Sequence, residues 1–138
     1  MIDKDNCHIL IISEHDALAM NALLQINGYK NIYKTSSSKD VLSIIEENTP
    51  DLVILNYHPL AENESTGIEL FRQLKSVATL KNTAFLIHGA RLNQEKCQEL
   101  KDIGFSGVLE YPLHVNKFPK ACSIVLDGGT YFRPCDKY

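Results

Sequence analysis

The feature that most constrains the fold is an uninterrupted apolar run that ends in a single polar side chain. Residues 50–56 read PDLVILN, so Pro50 and Asp51 stop the preceding helix and Asn56 closes the run. A strand that is apolar without alternation is typical of a parallel sheet covered on both faces. In such sheets ligands lie outside the carboxyl ends of the strands, where Asn56 is predicted to lie.

Other segments of the chain share this apolar character and alternate with helical patterns. We therefore expect the α/β class, with one doubly wound sheet of five parallel strands covered by five helices. The expected strand order is the flavodoxin-like 2-1-3-4-5. The strands are predicted at residues 8–12, 31–35, 50–56, 84–88 and 107–110.

The helices are predicted from apolar residues spaced three and four apart. The first helix covers about residues 16–27, and Ile26 is among the residues expected to widen its buried face. In the second helix, Leu42 is expected to face inward beside Val41. The later helices are predicted to begin near Gly67, Asn93 and Asn116.

The composition is that of one globular domain with no affinity of its own for polyanions. The chain has 138 residues, is 44% hydrophobic and carries a net charge of −3. That charge argues against binding nucleic acid or an anionic membrane surface without help from another domain. No apolar run approaches the roughly 20 residues of a membrane span, and the polar N-terminus does not resemble a signal peptide. We expect a cytoplasmic protein that does not contact membranes.

The cysteines are widely scattered and form no C-x-x-C pair. In a cytosolic chain this pattern predicts reduced thiols, most of them filling the core. The four residues are Cys7, Cys97, Cys122 and Cys135.

Several polar side chains are predicted at the carboxyl ends of the strands. With the expected strand order, strands one and three are neighbours at the point where the connections reverse direction. This rim is the candidate functional site, and it gathers Ser13, Glu14, Asn56, His88 and Tyr111.

The order and spacing of several segments make the chain similar to the receiver domain of a two-component response regulator. Residues 9–16, 50–56, 66–70 and 104–112 carry the resemblance, which covers about residues 7–126. In that family, an Asp at the end of the third strand accepts a phosphoryl group and two acids after the first strand hold Mg²⁺. A Ser or Thr after the fourth strand, and a Lys before a Pro after the fifth, contact the phosphoryl oxygens.

This chain differs from the family at the acceptor and at the metal site. Asn56 stands at the acceptor position, and Ser13-Glu14 stands at the acid pair, so that one carboxylate remains. Acyl-phosphate formation needs a carboxylate nucleophile, and an amide is not one. Mg²⁺ binds oxygen ligands and favours carboxylates. We therefore predict no phosphorylation of Asn56, no metal site and no cofactor.

The two positions that sense the phosphoryl group differ as well. The position of the family's Ser or Thr corresponds to His88. It corresponds to Gly89 if the alignment is instead based on the Ala-Arg pair that follows. The Lys position is Tyr111, although Pro112 is retained. We interpret the chain as a pseudo-receiver, which keeps the fold and has lost the phosphorylation switch, and we predict that it is not an enzyme.

The segment after the fifth helix resembles the one that leads from a receiver of the NarL/LuxR (Rcs-like) type to a helix-turn-helix domain. We expect a receiver-like domain at residues 1–126 and a C-terminal tail or linker at 127–138, directed toward a DNA-binding domain absent from this chain. The resemblance implies a transcription regulator that contacts DNA through that missing domain. It also implies a homodimer or heterodimer formed through the fourth helix, fifth strand and fifth helix.

Other functions stay open at this point. A stand-alone receiver-like adaptor or ligand sensor fits the same residues, as does a receiver phosphorylated at a non-standard residue such as Glu14 or His15. His15 and His58 are also candidates to join Glu14 as ligands of a transition metal. An enzyme is disfavoured because no Gly-rich phosphate loop follows the first strand.

Three local questions also stay open. Glu14 and Asp16 are candidates to cap the first helix. Tyr111 either closes the former pocket by hydrogen bonding to Asn56 or points outward. His88 is either a packed core residue or a pH-sensitive group.

Overall fold

We describe the protein through a computed structural model, which covers residues 2–60, 65–89 and 91–133. Parallel strands form one five-stranded sheet in the order β2-β1-β3-β4-β5, which confirms the predicted fold class and strand order. The strands are β1 His8–Ile12, β2 Asn31–Thr35, β3 Leu52–Asn56, β4 Ala84–His88 and β5 Gly107–Val108.

The described residues contain five α-helices, as predicted, and two single turns of 3-10 helix at Ser38–Asp40 and Ala78–Leu80. Four of the α-helices connect successive strands, and the fifth follows the last strand. Asn93 caps the fourth helix by accepting the main-chain N–H of Lys96. Gly104 ends that helix with a φ of 116°, a conformation that favours glycine. Among the described residues, no helix combines the length and apolar character that crossing a membrane requires. The helices are α1 Ala17–Ile26, α2 Val41–Glu47, α3 Gly67–Lys75, α4 Gln94–Ile103 and α5 Lys117–Leu126.

Helices cover both faces of the sheet, which explains why its central strands are apolar except at their ends, where His8, Asn56 and His88 lie. On one face, α2, α3 and α4 pack on a core in which the Phe71 ring stacks on Phe105, with ring centroids 4.0 Å apart. On the other face, α1 and α5 pack on the sheet through fully buried side chains such as Met20 and Phe118. The sheet lies between these two cores. The carboxyl ends of its strands, where the candidate rim is located, are not covered by either core.

Two predictions about helix faces are wrong. Ile26 is 80% exposed because it follows the buried Met20 by six residues, which is about 240° further around α1. Leu42 is 54% exposed because α2 faces the core through Val41 and Ile45. A short helix on a flat sheet buries one narrow stripe, and the remaining apolar residues stay at the surface.

The chain that follows α5 returns to the sheet and covers its edge at β5. Tyr131 is buried, forms a parallel bridge with Gly107, and accepts the main-chain N–H of Val108 at 2.8 Å. A Cβ on Gly107 would collide with the carbonyl oxygen of Tyr131. Part of the segment predicted as a tail or linker is therefore docked on the domain, whereas residues 134–138 lie outside the described residues.

The prediction that the cysteines are reduced thiols holds for two of them and is wrong for Cys97. Cys7 and Cys122 are buried free thiols, whereas Cys97 is disulfide-bonded. Burial, with a smaller effect from the Asp51 carboxylate, raises the pKa of the Cys7 thiol to about 11. Burial also raises the pKa of Cys122. Both free thiols are therefore poor nucleophiles at neutral pH. Cys135 lies outside the described residues.

Candidate functional site

The carboxyl ends of the central strands bring together three of the residues that the sequence predicts for the site. Asn56 is the last residue of β3, His88 is the last residue of β4, and the two are partners in the sheet register. Ser13 directly follows β1, and its main-chain N–H donates to the carbonyl of Thr35 at 3.1 Å. Because β1, β3 and β4 are consecutive in the sheet, these side chains start from adjacent positions on one rim.

The amide of Asn56 is engaged by the loop that follows it. Its Nδ2 donates to the main-chain oxygen of His58 at 2.9 Å. Its Oδ1 lies against Gly89, where a Cβ would come within 2.8 Å of that oxygen. The adjoining cavity, lined in part by Leu60 and Thr66, has a volume of about 10 Å³, which suits one water molecule. The side chain organises its own loop, and this cavity is too small for a phosphoryl group.

The two residues at the family's acid-pair position also make their polar contacts locally. Ser13 is buried, and its Oγ accepts the main-chain N–H of Asp16 at 3.3 Å. Glu14 is exposed, and its carboxylate lies 3.8 Å from Nε2 of the exposed His15. The single carboxylate of this pair therefore lies among solvated side chains.

A contact between Asp16 and His88 crosses the rim. Oδ2 of Asp16 lies 3.6 Å from Nδ1 of His88, just beyond hydrogen-bond distance. Asp16 follows β1 and His88 ends β4, and β3 lies between those strands. The contact therefore spans the carboxyl end of β3, where Asn56 stands. A carboxylate and an imidazole therefore lie close together at this end of the sheet.

The imidazole of His88 is neutral at pH 7. The side chain is 3% exposed, and burial lowers its pKa from 6.5 to about 4, although the nearby Asp16 carboxylate acts in the opposite direction. Its Nε2 is buried and has no hydrogen-bond partner among the described residues. A charged imidazole would be stabilised by Asp16, but the cost of desolvation is larger. The contact is thus a carboxylate beside a neutral ring rather than an ion pair.

Tyr111 and Pro112 lie in the connection between β5 and α5 and are joined by a cis peptide bond. Tyr111 is 49% exposed, so its ring lies at the surface. The side-chain hydrogen bonds described for Asn56 and Ser13 stay within their own loops. Of the two orientations considered for Tyr111, the outward one is observed.

The donors on the rim do not fit the Mg²⁺ site that the family resemblance implies. Mg²⁺ prefers carboxylate oxygens in octahedral geometry. Here the hydroxyl of Ser13 accepts a hydrogen bond from the main-chain N–H of Asp16, and the carboxylate of Glu14 faces His15. Over residues 2–60, 65–89 and 91–133, no group of three His, Cys, Asp or Glu side chains could hold a metal ion. Glu14, His15 and His58 are accordingly not grouped as metal ligands within the described residues.

Sequence reasoning missed the role of Asp16. It was considered as a cap for α1, but its side chain makes no capping hydrogen bond and faces His88 instead. Periodicity carries no signal for this contact, because β1 and β4 are far apart in the chain. The available signal was the strand order, which places the loop after β1 within reach of the ends of both β3 and β4.

Comparison with known proteins supports the fold of the chain but does not assign a role to any of its residues. No protein-family model matches the chain, and no curated protein matches its sequence. Solved structures match it at low identity. The chemotaxis response regulator CheY4 of Vibrio cholerae has a TM-score of 0.72 and 21% identity over 85% of this chain and 96% of that chain.

Two structures of the response regulator RcsB are also similar. The isolated REC domain from Salmonella enterica serovar Typhimurium, with the phosphomimetic BeF3−, has a TM-score of 0.79 and 14% identity over 96% of this chain and 98% of that chain. A longer RcsB chain from Salmonella typhimurium has a TM-score of 0.80 and 14% identity over 97% of this chain and 69% of that chain.

These identities establish the fold alone. The chain has the fold of the receiver domains of response regulators, with the five-stranded sheet and helices in the same arrangement.

Proposed function

We propose that this chain is a pseudo-receiver of a response-regulator-type transcription regulator, which signals by dimerisation or partner binding without phosphorylation of an aspartate. The observation that carries the proposal is the rim. Asn56 replaces a nucleophile at the end of β3, and the contact of Asp16 with His88 spans that position. In this proposal the chain is not an enzyme, and its output depends on which protein it binds.

The charges on the rim support the proposal that the chain is not phosphorylated there. A phosphoryl group on the rim needs cations or N–H and O–H donors to stabilise its oxygens. Here it would meet the Asp16 carboxylate and a neutral imidazole. The Lys that the family uses is replaced by Tyr111, which lies at the surface. A phosphorylated state at this position would therefore be less stable than in a conventional receiver.

The proposed partner face is formed by α4, β5 and α5. The exposed surface of α4 carries both signs of charge, including Lys96 paired with Glu99 at 2.9 Å. The edge of β5 is covered by Tyr131, so a partner meets side chains rather than free main-chain groups. Such a surface suits a partner with a complementary charge pattern.

Contact with DNA is proposed through a further domain. The RcsB structure that extends beyond the matched region is described in terms of DNA interaction. By analogy, the segment that docks at Tyr131 would lead on toward a helix-turn-helix domain. The chain itself carries a net charge of −3, which argues against DNA binding by this domain alone.

The direct test is binding of Mg²⁺ with beryllofluoride, followed by amide chemical shifts in NMR. The proposal predicts no saturable shift at Asn56, His88 or Gly89, because the rim lacks the ligands for both ions. The isolated REC domain of RcsB, whose structure contains this phosphomimetic, serves as the positive control under the same conditions. Saturable shifts confined to this rim would overturn the proposal.

A second candidate is a receiver phosphorylated at a non-standard residue. It is favoured by the exposure of Glu14 and His15 beside the rim. Incubation with acetyl phosphate and Mg²⁺, followed by peptide mapping, would place any phosphoryl group on one of these residues. The phosphoryl adduct should then be lost in only one of the variants Glu14→Gln and His15→Gln, and that variant identifies the acceptor.

A further inference from the structure

Cys97 forms a disulfide, although the sequence pattern predicts a reduced thiol at this position. The residue lies on α4, is 4% exposed and is disulfide-bonded. Cys7 and Cys122 are free thiols, so the cysteine of the sequence that remains as a partner is Cys135, which lies outside the described residues. Disulfides are rare in reducing compartments, where those that occur are usually catalytic or redox-sensing. A disulfide on α4 of a chain with a cytoplasmic sequence pattern therefore indicates a redox role.

The chain that leads toward Cys135 lies beside α4. Phe132 packs on the same core as Cys97, and Nζ of Lys101 lies 5.3 Å from the centroid of the Phe132 ring. Cys97 precedes Lys101 by one turn of α4, so their Cβ atoms are about 6 Å apart. Cys135 follows Phe132 by three residues, and that length of extended chain spans about 10 Å. A bond between Cys97 and Cys135 is therefore within reach of the docked segment.

The same segment is paired with the edge of the sheet through its main chain. The N–H of Tyr131 donates to the carbonyl of Ser106 at 2.9 Å, and the N–H of Val108 donates to the carbonyl of Tyr131 at 2.8 Å. Within the described residues this pairing is a single bridge, between Gly107 and Tyr131. Because the pairing is short, a covalent attachment nearby strongly reduces the entropy cost of forming it.

We propose that a disulfide between Cys97 and Cys135 holds this segment on β5, and that reduction of the bond uncovers the edge of the sheet. Reduction consumes two thiols of a glutathione-type reductant. The thiolate of the first attacks one sulfur of the bond and forms a mixed disulfide, and the second thiol releases the disulfide of the reductant. The two protons of the reductant thiols end on Cys97 and Cys135, so atoms and electrons balance.

The other two cysteines do not compete in this exchange. Burial raises the pKa of the Cys7 thiol to about 11 and raises the pKa of Cys122 as well. Exchange requires a thiolate, so both are poor attacking groups at neutral pH. Both also pack on the opposite face of the sheet from Cys97. The switch is thus confined to one pair of cysteines.

The edge that the segment covers belongs to the α4, β5 and α5 face through which we propose partner binding. The oxidised chain presents a covered edge there. The reduced chain presents free main-chain groups of β5, to which an extended segment of a partner can pair. The inference adds a control to that face, but it requires neither dimerisation nor any state of Asn56. Its readouts are the thiol count and amide exchange of the chain alone, so its failure is distinguishable from failure of the proposed function.

Counting thiols on the intact chain tests the bond itself. The chain is equilibrated with oxidised glutathione, denatured and alkylated without reductant. We expect alkylation of the two free cysteines, Cys7 and Cys122, and of all four cysteines after reduction. Peptide mapping of the oxidised chain should join the peptide that contains Cys97 to the one that contains Cys135. Alkylation of all four cysteines without reductant, a disulfide-linked dimer, or glutathione bound to Cys97 would each overturn the proposal.

Amide hydrogen exchange, measured by NMR, tests whether the bond controls the edge. The N–H of Val108 donates to Tyr131, whereas the N–H of the next residue, Leu109, donates to Ile87 on β4 at 2.8 Å and serves as an internal control. Reduction should accelerate exchange at Val108 by about tenfold or more and leave Leu109 unchanged. Equal acceleration at both amides, or none at Val108, would show that the bond does not hold the segment on the edge.

Variants separate the bond from other effects of the reductant. In oxidising buffer, Cys135→Ser should show the fast Val108 exchange of the reduced wild type, and reductant should change it no further. The matched control Cys7→Ser removes a free thiol and should keep the wild-type response to reduction. If oxidised Cys135→Ser exchanges as slowly as the oxidised wild type, or if Cys7→Ser loses the response, the proposal is wrong.

Discussion

Acidification from pH 7 to pH 5 is expected to lower the free energy of unfolding through His88. In the folded chain this buried imidazole has a pKa lowered from 6.5 to about 4. In the unfolded chain its pKa returns to the ordinary value, so the unfolded state binds more protons between those two values. Stability is therefore highest above pH 6.5 and falls as the pH decreases toward 4.

The magnitude follows from the two pKa values. At pH 5 the unfolded imidazole is almost fully protonated and the folded one is mostly neutral. Linkage then gives a loss of about 2 kcal/mol between pH 7 and pH 5, and about 3 kcal/mol near pH 4. The side chain is 3% exposed, so solvent screening does not reduce this effect substantially.

Urea unfolding at the two pH values measures the effect. Other groups also titrate, so the informative quantity is the difference between the wild type and His88→Gln, whose side chain is neutral at both pH values. The variant should lose about 2 kcal/mol less than the wild type on acidification. The control His15→Gln removes an exposed histidine and should behave like the wild type. An unchanged pH dependence in His88→Gln would refute the reasoning.

Three further predictions concern the rim and the helix beside it. Asn56→Asp alone should not be phosphorylated efficiently by acetyl phosphate with Mg²⁺, because Ser13 and Tyr111 remain; a stoichiometric adduct in intact mass would contradict this. Gly89→Ala should cost more stability in urea than Gly128→Ala by about 1 kcal/mol or more, because both glycines have positive φ but only at Gly89 would the Cβ approach the Asn56 oxygen. Thr66→Ala should cost about 1 kcal/mol in the same assay by removing the capping box with Glu69, and an unchanged midpoint would contradict that role.

The strands were predictable because a parallel sheet covered on both faces imposes a strong local pattern. The runs at β1, β3 and β4 are apolar throughout, and their ends coincide with polar residues such as Asn56 and His88. Helix ends were predictable where a residue has a specific conformational role. Gly104, with its left-handed φ, is one example, and the cap at Asn93 is another.

What the sequence did not reveal depends on contacts between distant parts of the chain. The approach of Asp16 to His88 requires the order of three strands to be known, and no local pattern encodes it. The docking of Tyr131 on Gly107 was also missed. It is a contact between distant residues, and the glycine-rich sequence before Tyr131 is typical of a tail. The exposure of Ile26 was missed because periodicity defines an apolar stripe without showing how wide a stripe the sheet can cover.

The central claim is that this receiver fold acts without phosphorylation at the end of β3. The most direct measurement is the intact mass of the whole chain after incubation with acetyl phosphate and Mg²⁺, with the REC domain of RcsB, which is known with a phosphomimetic bound, treated in parallel. We predict an unchanged mass for this chain, because Asn56 is not a nucleophile and the rim lacks ligands for the metal. A phosphoryl adduct that forms on the wild type and maps to the rim would contradict the claim.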